Sequence, residues 1–334
     1  VIEGILLKLK EKAPGYVSGA ELGKAFGITR TAVWKYINQL KEEGYVIESS
    51  SKKGYKLASI PDILNKREVI SYIKTEFLGK EIYYFDTIDS TNNYAKKIAE
   101  DGCEEGTVVI SDCQIAGKGR RGREWASLAG KGIYMSVVLK PLLEPSQMQL
   151  ITLAASVAVA EALKEQTGMD LGIKWPNDII LDARKLCGIL TEMTCETDKI
   201  NYVILGLGVN VNQDMEDFPA DLRDKAVSLK AGCKQLTGEN KTFNRAKIIA
   251  SILLHIEKYY KMLQSGLNEE IIDKWRLHSI TLGKQIMCSD SRGSYLCIAE
   301  DITEDGHLVV KCEDGSVREL LSGEVSIKGV MGYI

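Results

Sequence analysis

Gly117-Lys-Gly-Arg-Arg-Gly-Arg-Glu-Trp125, followed by Ala126-Ser-Leu-Ala-Gly-Lys-Gly-Ile-Tyr-Met-Ser-Val-Val-Leu139, decides the class of fold. Its first six residues match G-x-G-x-x-G, the fingerprint of a dinucleotide-binding βαβ unit in which the loop opens a helix. Here residues 127–132 break any helix, and Ile133-Tyr-Met-Ser-Val-Val-Leu139 reads as a strand. Lys118, Arg120, Arg121 and Arg123 are also too bulky and charged for the close helix–sheet packing those glycines serve. A phosphate loop ending in G-K-[ST] is excluded because no such tripeptide closes the motif. What remains is a glycine-hinged loop with four cations, able to wrap a phosphate or, taken alone, to be a solvated basic excursion. The expectation is a mixed α+β domain, not a doubly wound one.

Upstream, Tyr83-Tyr-Phe85 and Thr107-Val-Val-Ile-Ser111 read as strands, and Asp89-Ser-Thr-Asn-Asn93 caps a helix running to about Glu100. Several capping residues in a row leave hydroxyl and amide groups for a polar head group. Downstream, residues 146–166 form a long apolar helix. Leu171-Gly-Ile-Lys-Trp175 is a strand ending in Pro176-Asn-Asp178. Ile179-Ile-Leu181 returns through Asp182-Ala-Arg184 into Lys185-Leu-Cys-Gly-Ile-Leu190, which puts Lys174 and Lys185 on neighbouring strands beside Asn177 and Asp178. Singly these are surface ion pairs and Trp175 a core aromatic; together they offer two cations for carboxylate or phosphate and a carboxylate for magnesium. Tyr202-Val-Ile-Leu-Gly-Leu-Gly-Val-Asn210 is a buried strand whose small residues let a ligand approach the backbone. Helices over 67–77 and 243–278 flank this region. Short strands at 286–288, 295–299, 308–312 and 324–328 suggest a small barrel.

The first sixty residues have another pattern. Ile2, Ile5, Leu6 and Leu9 share a helical face, Ser18-Gly-Ala-Glu21 is a capping box, and Gly27 makes a tight turn. Thr29 caps a third helix with Val33, Ile37 and Leu40 inward. Two short strands then enclose a basic tip. This is the winged helix–turn–helix plan: Arg30, Thr31 and Lys35 face a major groove, and Lys52 and Lys53 reach phosphates. A small helical docking module with a solvated basic face is the plainer alternative. Residues 1–60 carry ten Lys/Arg and six Asp/Glu, a charge of +4 within a chain of −3 overall, which points to a polyanion partner for this part alone.

Composition narrows the class further. With 334 residues, 45% hydrophobic, 27% charged, 6 Pro and 30 Gly, the chain is an ordinary globular sequence of two or three domains. The apolar stretch at 150–160 is shorter than the roughly 20 residues of a membrane span, and the N-terminus has no signal-peptide pattern. Eight cysteines without a C-x-x-C pair, and 3 His, argue for a reducing, cytoplasmic setting and against structural zinc. No Ser/His/Asp or Cys/His constellation is evident.

The loop at 117–125, Lys174-Trp-Pro-Asn-Asp178, Arg184-Lys-Leu-Cys-Gly188 and Gly206-Leu-Gly-Val-Asn210 occur in the order found in biotin protein ligases. With the winged helix–turn–helix in front, essentially the whole chain resembles bifunctional biotin ligases that are also biotin-operon repressors. The resemblance implies a winged helix–turn–helix at 1–60, a mixed α/β catalytic domain at 67–280 and an SH3-like β-barrel at 281–334. It implies formation of biotinyl-5′-AMP from biotin and MgATP, transfer to a lysine of a biotin carboxyl carrier protein, operator binding, and a homodimer when the adenylate is bound. By the same resemblance Ser90, Thr91, Asn92, Gln114, Lys118, Gly119, Arg120 and Lys185 hold biotin. Arg123, Trp125, Lys174, Asn177 and Asn210 lie on the nucleotide side, Asp178 is the candidate magnesium ligand, and Lys185, Arg120 and Arg123 carry the chemistry. The family loop more often has Arg where this chain has Lys118, which keeps the charge and gives up the fork. Lipoyl or octanoyl transferases would share the central fold, and a biotin sensor without activity would share the binding residues; this combination of loop and K-W-P-N-D, with its phosphate-binding cations, argues for the ligase.

Overall fold

The spacing of Ile5, Leu6 and Leu9 puts three apolar side chains on one helical face. In the computed structural model, which describes residues 1–59, 62–196, 199–290, 293–322 and 326–329, that helix is α1 (Ile2–Lys12), and all three are buried. α2 (Gly19–Phe26) begins where Ser18 Oγ accepts the Glu21 N–H at 3.0 Å, and it stops at Gly27, whose φ of 64° is left-handed. Thr29 caps α3 (Arg30–Glu42) by accepting the Ala32 N–H at 3.2 Å. β1 (Val46–Ser50) and β2 (Gly54–Ser59) pair antiparallel and close a core that includes Leu22, Val33, Ile37, Leu40, Tyr45 and Leu57.

The expected linker at 59–66 falls partly on residues 60 and 61, which lie outside the described residues. Beyond it, Asn65 caps the short α4 (Lys66–Ile70). Glu68 of α4 is fully buried; it takes Lys10 Nζ at 2.6 Å and the Tyr45 hydroxyl. Burial draws the Lys10 ammonium below its ordinary value against the pull of Glu68. Residues 1–72 with 244–247 form one compact unit, tied at its second segment by Arg245 Nε donating to Asp62 at 2.7 Å.

The helix expected over 67–77 ends at Ile70 for a physical reason. Glu257 accepts the N–H groups of Glu76, Phe77 and Leu78 at 2.7, 2.9 and 3.0 Å, taking amides that a longer helix would bond internally. Burial opposes the charge on Glu257, yet these bonds hold its carboxyl below the usual range.

The second unit is built on a mixed sheet. Its strands are β3 (Ile82–Ile88), β4 (Val108–Gln114), β5 (Gly132–Leu139), β6 (Gly172–Lys174), β7 (Asp178–Leu181), β8 (Arg184–Glu196) and β9 (Lys199–Asn210). They lie in the order β3-β4-β5-β9-β8-β7-β6. β3 and β4 are parallel, joined through α5 (Thr91–Glu100), and all other pairs are antiparallel. β7 separates β6 from β8, so Lys174 and Lys185 are not on neighbouring strands as expected; two successive hairpins put one strand between them. The second hairpin turns through Asp182 and Ala183 at φ 49° and 59°, the handedness that suits a two-residue turn.

α6 (Met148–Thr167) packs on β6, β7 and β8 and on α9 (Asn268–His278). The helical segment Pro145–Thr167 is long and apolar enough to cross a membrane, beyond the expectation from 150–160 alone, but 78% of its apolar window is buried inside the chain, as in a core helix. Between these helices run α7 (Leu229–Thr237) and α8 (Arg245–Gln264).

The C-terminal region forms a separate antiparallel sheet of β10 (Gln285–Asp290), β11 (Gly293–Ile302), β12 (Leu308–Cys312), β13 (Val317–Leu320) and β14 (Ser326–Gly329), ordered β13-β12-β11-β10-β14. The expected strand at 324–328 begins on residues 324 and 325, which lie outside the described residues. β13, four residues with two charges, was not expected. Thiols that are scattered in sequence meet here: Cys297 and Cys312 face each other across β11 and β12 with Sγ atoms 2.9 Å apart, and Cys288 is buried on β10.

Candidate functional site

The cation loop is held as a hairpin. Gly117 O accepts the Trp125 N–H at 2.9 Å, Lys118 bridges to Glu124, and the Gly119 N–H donates to Arg123 O at 2.7 Å. At its tip Arg121 and Gly122 have φ of 56° and 71°. A Cβ on Gly117 would lie 2.6 Å from Trp125 O. Residue 117 is therefore glycine for space and residue 122 for its left-handed backbone.

This loop forms one wall of a cavity of about 1010 Å³. Ser90, Thr91, Asn92 and Gln114 line it from the α5 start and the end of β4. Lys118, Gly119, Arg120, Arg123 and Trp125 line it from the loop, and Lys174, Asn177, Asp178, Lys185 and Asn210 from the sheet. Ser90 makes no side-chain cap bond. Gln114 does that work instead, its Oε1 accepting from Thr91 N at 2.8 Å and Thr91 Oγ1 at 3.1 Å while its Nε2 donates to Ser127 Oγ at 3.1 Å.

Arg120 is partly buried and donates Nη1 to Asn177 Oδ1 at 2.9 Å and Nη2 to the carbonyl of Ser322. Burial lowers its pKa, the Asp178 charge works the other way, and Arg121 and Arg123 add to the lowering. Lys185 Nζ pairs with Asp178 Oδ1 at 2.7 Å and sits 5.4 Å from the centre of the Trp125 ring. Cys187 beside it is fully buried, and burial pushes its thiol far above the thiolate range, so it is no nucleophile.

The small residues at the end of β9 do something other than expected. A Cβ on Gly206 would lie 2.1 Å from Asn92 Oδ1, and one on Gly208 would lie 2.5 Å from the Trp125 indole. The room is taken by two side chains of the protein itself. Gly188 on β8 gives the same clearance, 2.9 Å from Trp125 and 3.2 Å from Lys185 Nζ.

No group of three or more His, Cys, Asp or Glu among the described residues is arranged to hold a metal. Asp178 is a single carboxylate already engaged by Lys185. That suits an ion that arrives on phosphates, not a resident one.

In the other unit, Arg30, Thr31 and Lys35 lie exposed on α3, opposite the buried Val33, Ile37 and Leu40, and Lys52 and Lys53 are exposed at the tip between β1 and β2. Lys53 Nζ stands 5.7 Å from the Tyr16 ring. Trp34, 55% exposed, is part of α3's outer surface and was not anticipated.

Residues 2–56 match the HTH domain family, residues 84–210 the biotin/lipoate A/B protein ligase family, and residues 281–328 the biotin protein ligase C-terminal domain. The chain is 37% identical to the bifunctional ligase/repressor BirA of Bacillus spizizenii over 312 residues, covering 93% of this chain and 94% of that one. The chain belongs to the BirA family. The BirA protein of Escherichia coli is 26% identical over 93% of this chain and 92% of its own length. A solved biotin protein ligase from Aquifex aeolicus, in complex with biotin and ATP, superposes with a TM-score of 0.63 at 28% identity, covering 75% of this chain and 99% of that one.

In this BirA-family chain the ligase match ends at residue 210, yet the cavity wall continues through Gln213, Phe218 and Lys225. Gln213 is buried, donates to Asn210 Oδ1 at 3.3 Å, and leaves its Oε1 unpartnered, as is Trp125 Nε1. Ser136, Glu192 and Ser322 also support cavity residues without having been expected. Ser136 sits inside an apolar strand pattern, where a polar residue with no exposure was the available clue. Glu192 and Ser322 had no local signal.

Proposed function

We propose that this chain is an ATP-dependent biotin–protein ligase that also represses transcription in response to biotin. Biotin and ATP give biotinyl-5′-AMP and pyrophosphate; the biotinyl group then passes to a lysine of the biotin carboxyl carrier protein of acetyl-CoA carboxylase. The observation that best supports this is that one cavity gathers the Ser90–Gln114 polar set, the cation loop and Lys185. In this account residues 1–60 bind DNA, 67–280 carry catalysis and 281–334 form the third domain.

The carboxylate of biotin is the nucleophile: its oxygen bonds to the α-phosphorus, the bond from that phosphorus to the bridging oxygen breaks, and pyrophosphate leaves. No side chain has to form a bond. The protein's task is to bring two anions together and stabilise the charge gathering on phosphorus. Lys185, Arg120 and Arg123 supply fixed positive charge. Ser90, Thr91, Asn92, Gln114, Lys118 and Gly119 orient biotin, while Trp125, Lys174, Asn177 and Asn210 hold the nucleotide. Magnesium enters with ATP as part of the substrate, where it neutralises phosphate charge, with Asp178 as its one protein contact. The mixed anhydride is labile in water, so closure of the 117–123 loop excludes solvent. The carrier lysine's amine then attacks the acyl carbon, AMP departs, and the new amide sheds a proton.

Adenylate that persists when carrier is scarce favours a homodimer, which places two α3 helices on a two-fold operator through Arg30, Thr31, Lys35, Lys52 and Lys53. The setting is the reducing cytoplasm. Purified protein given biotin and ATP labelled at the α-phosphate is expected to release pyrophosphate and form biotinyl-AMP only when biotin is present. Product with octanoate or lipoate in place of biotin would reassign the acyl group, and biotin binding without adenylate would leave a sensor.

A further inference from the structure

Asn92 is only 6% exposed, and its side-chain amide is engaged at both ends. Nδ2 donates to Glu192 Oε2 at 2.6 Å, and Oδ1 accepts from Ser136 Oγ at 2.6 Å. The amide lies flat against β9, where Gly206 leaves no room for a Cβ. Ser136, with no exposure, also stands 2.8 Å from Thr91 Oγ1, and Thr91 Oγ1 donates to Gln114 Oε1 at 3.1 Å.

These contacts have a direction. An ionised carboxylate only accepts, so Glu192 obliges Asn92 to present nitrogen to it and oxygen to Ser136. Ser136 has one hydroxyl proton and two acceptors within reach, and the shorter contact to Asn92 takes it. Thr91, whose own proton goes to Gln114, then keeps a lone pair on Oγ1 at the cavity wall. Without Glu192 the Asn92 amide is free to turn over, its NH2 then competes for Ser136, and the Ser136 proton goes to Thr91. The group facing the ligand changes from acceptor to occupied.

We propose that Glu192 is a positioning residue of the head-group pocket: acting through Asn92 and Ser136, it keeps Thr91 an acceptor for an N–H donor such as that of a cyclic urea. Asn92 is thereby a relay and not itself a ligand of biotin. The proposal rests on the biotin reading above, and its test separates the two.

Biotin affinity is measured without ATP by calorimetry, and KM for biotin and for ATP from pyrophosphate release. Glu192→Ala is expected to raise the biotin Kd and KM about tenfold or more, as loss of a hydrogen bond to a charged group does, with KM for ATP within about twofold. Asn92→Asp, which sets two carboxylates against each other, is expected to lose at least as much. The double variant Asn92→Asp with Glu192→Gln reverses donor and acceptor between the pair and leaves Ser136 donating as before, so it is expected to recover most of the loss. Unchanged biotin affinity in Glu192→Ala, equal loss toward biotin and ATP, or no recovery in the double variant each overturns the proposal. Failure of the unaltered protein to bind biotin overturns the ligase reading instead.

Discussion

Lys185 is the residue on which the chemistry turns. Its ammonium is fixed by Asp178 at 2.7 Å and held over the Trp125 ring, so it meets the reacting anions without having to be reorganised. Lys185→Ala is expected to slow adenylate formation by about a hundredfold or more, the usual cost of removing one such stabilising group, in a biotin-dependent pyrophosphate assay. Gly208 gives a finer test. Alanine there drives a methyl against a rigid indole 2.5 Å away, so Gly208→Ala is expected to raise KM for ATP several-fold and leave biotin binding nearly unchanged. An unaltered KM for ATP would separate Trp125 from the nucleotide. At this scale the sequence was legible where several charged and glycine residues crowd a short span, as at 117–125 and 174–178. Ser136, Gln213 and Glu192 escaped because a polar residue in a strand declares nothing until the strands pair.

Among the elements, the capped helices and the main hairpins could be read from periodicity, because Ser18, Thr29, Gly27 and Asp182 act on their immediate neighbours. The helix over 67–77 could not, because the competitor for its amides, Glu257, is 180 residues from Phe77. That contact yields a prediction with a definite pH sign. The Glu257 carboxyl is held below its ordinary value of 4.5, so the stabilisation is complete above that value and fades as acid carries the protein through the lower folded one. Glu257→Gln is expected to cost about 2 kcal/mol at neutral pH, with wild type and variant converging in strong acid, as read by urea melts across the pH range. A gap that persists in acid would show that the charge is not what holds the segment. The small β13 escaped notice for lack of length, and the thiols at 297 and 312 because register, not spacing, brings them together.

The whole chain divides into a unit bearing the exposed basic surface of α3 and a unit bearing the cavity, and each function is testable by itself. Arg30→Ala with Lys35→Ala is expected to abolish operator binding and leave adenylate synthesis at its normal rate. Each lost phosphate contact should also lower the slope of log affinity against log salt by about 0.9. Retained repression by the double variant would put the DNA contact elsewhere. The order of modules was legible because each has its own composition and pattern. The reach of one module into the pocket of another was not.

That reach is a single bond with a consequence for how the protein is made. Arg120 is held on one side by Asn177, 57 residues on, and on the other by the Ser322 carbonyl, 202 residues on. Translation delivers the first partner early and the second near the end. At bacterial speeds of about 5 to 20 residues per second, the loop waits roughly 10 to 40 s for its last anchor. A ribosome-bound chain therefore has every cation of the pocket and only half of the brace on its central arginine. Full control over a reactive intermediate arrives with the last of the chain.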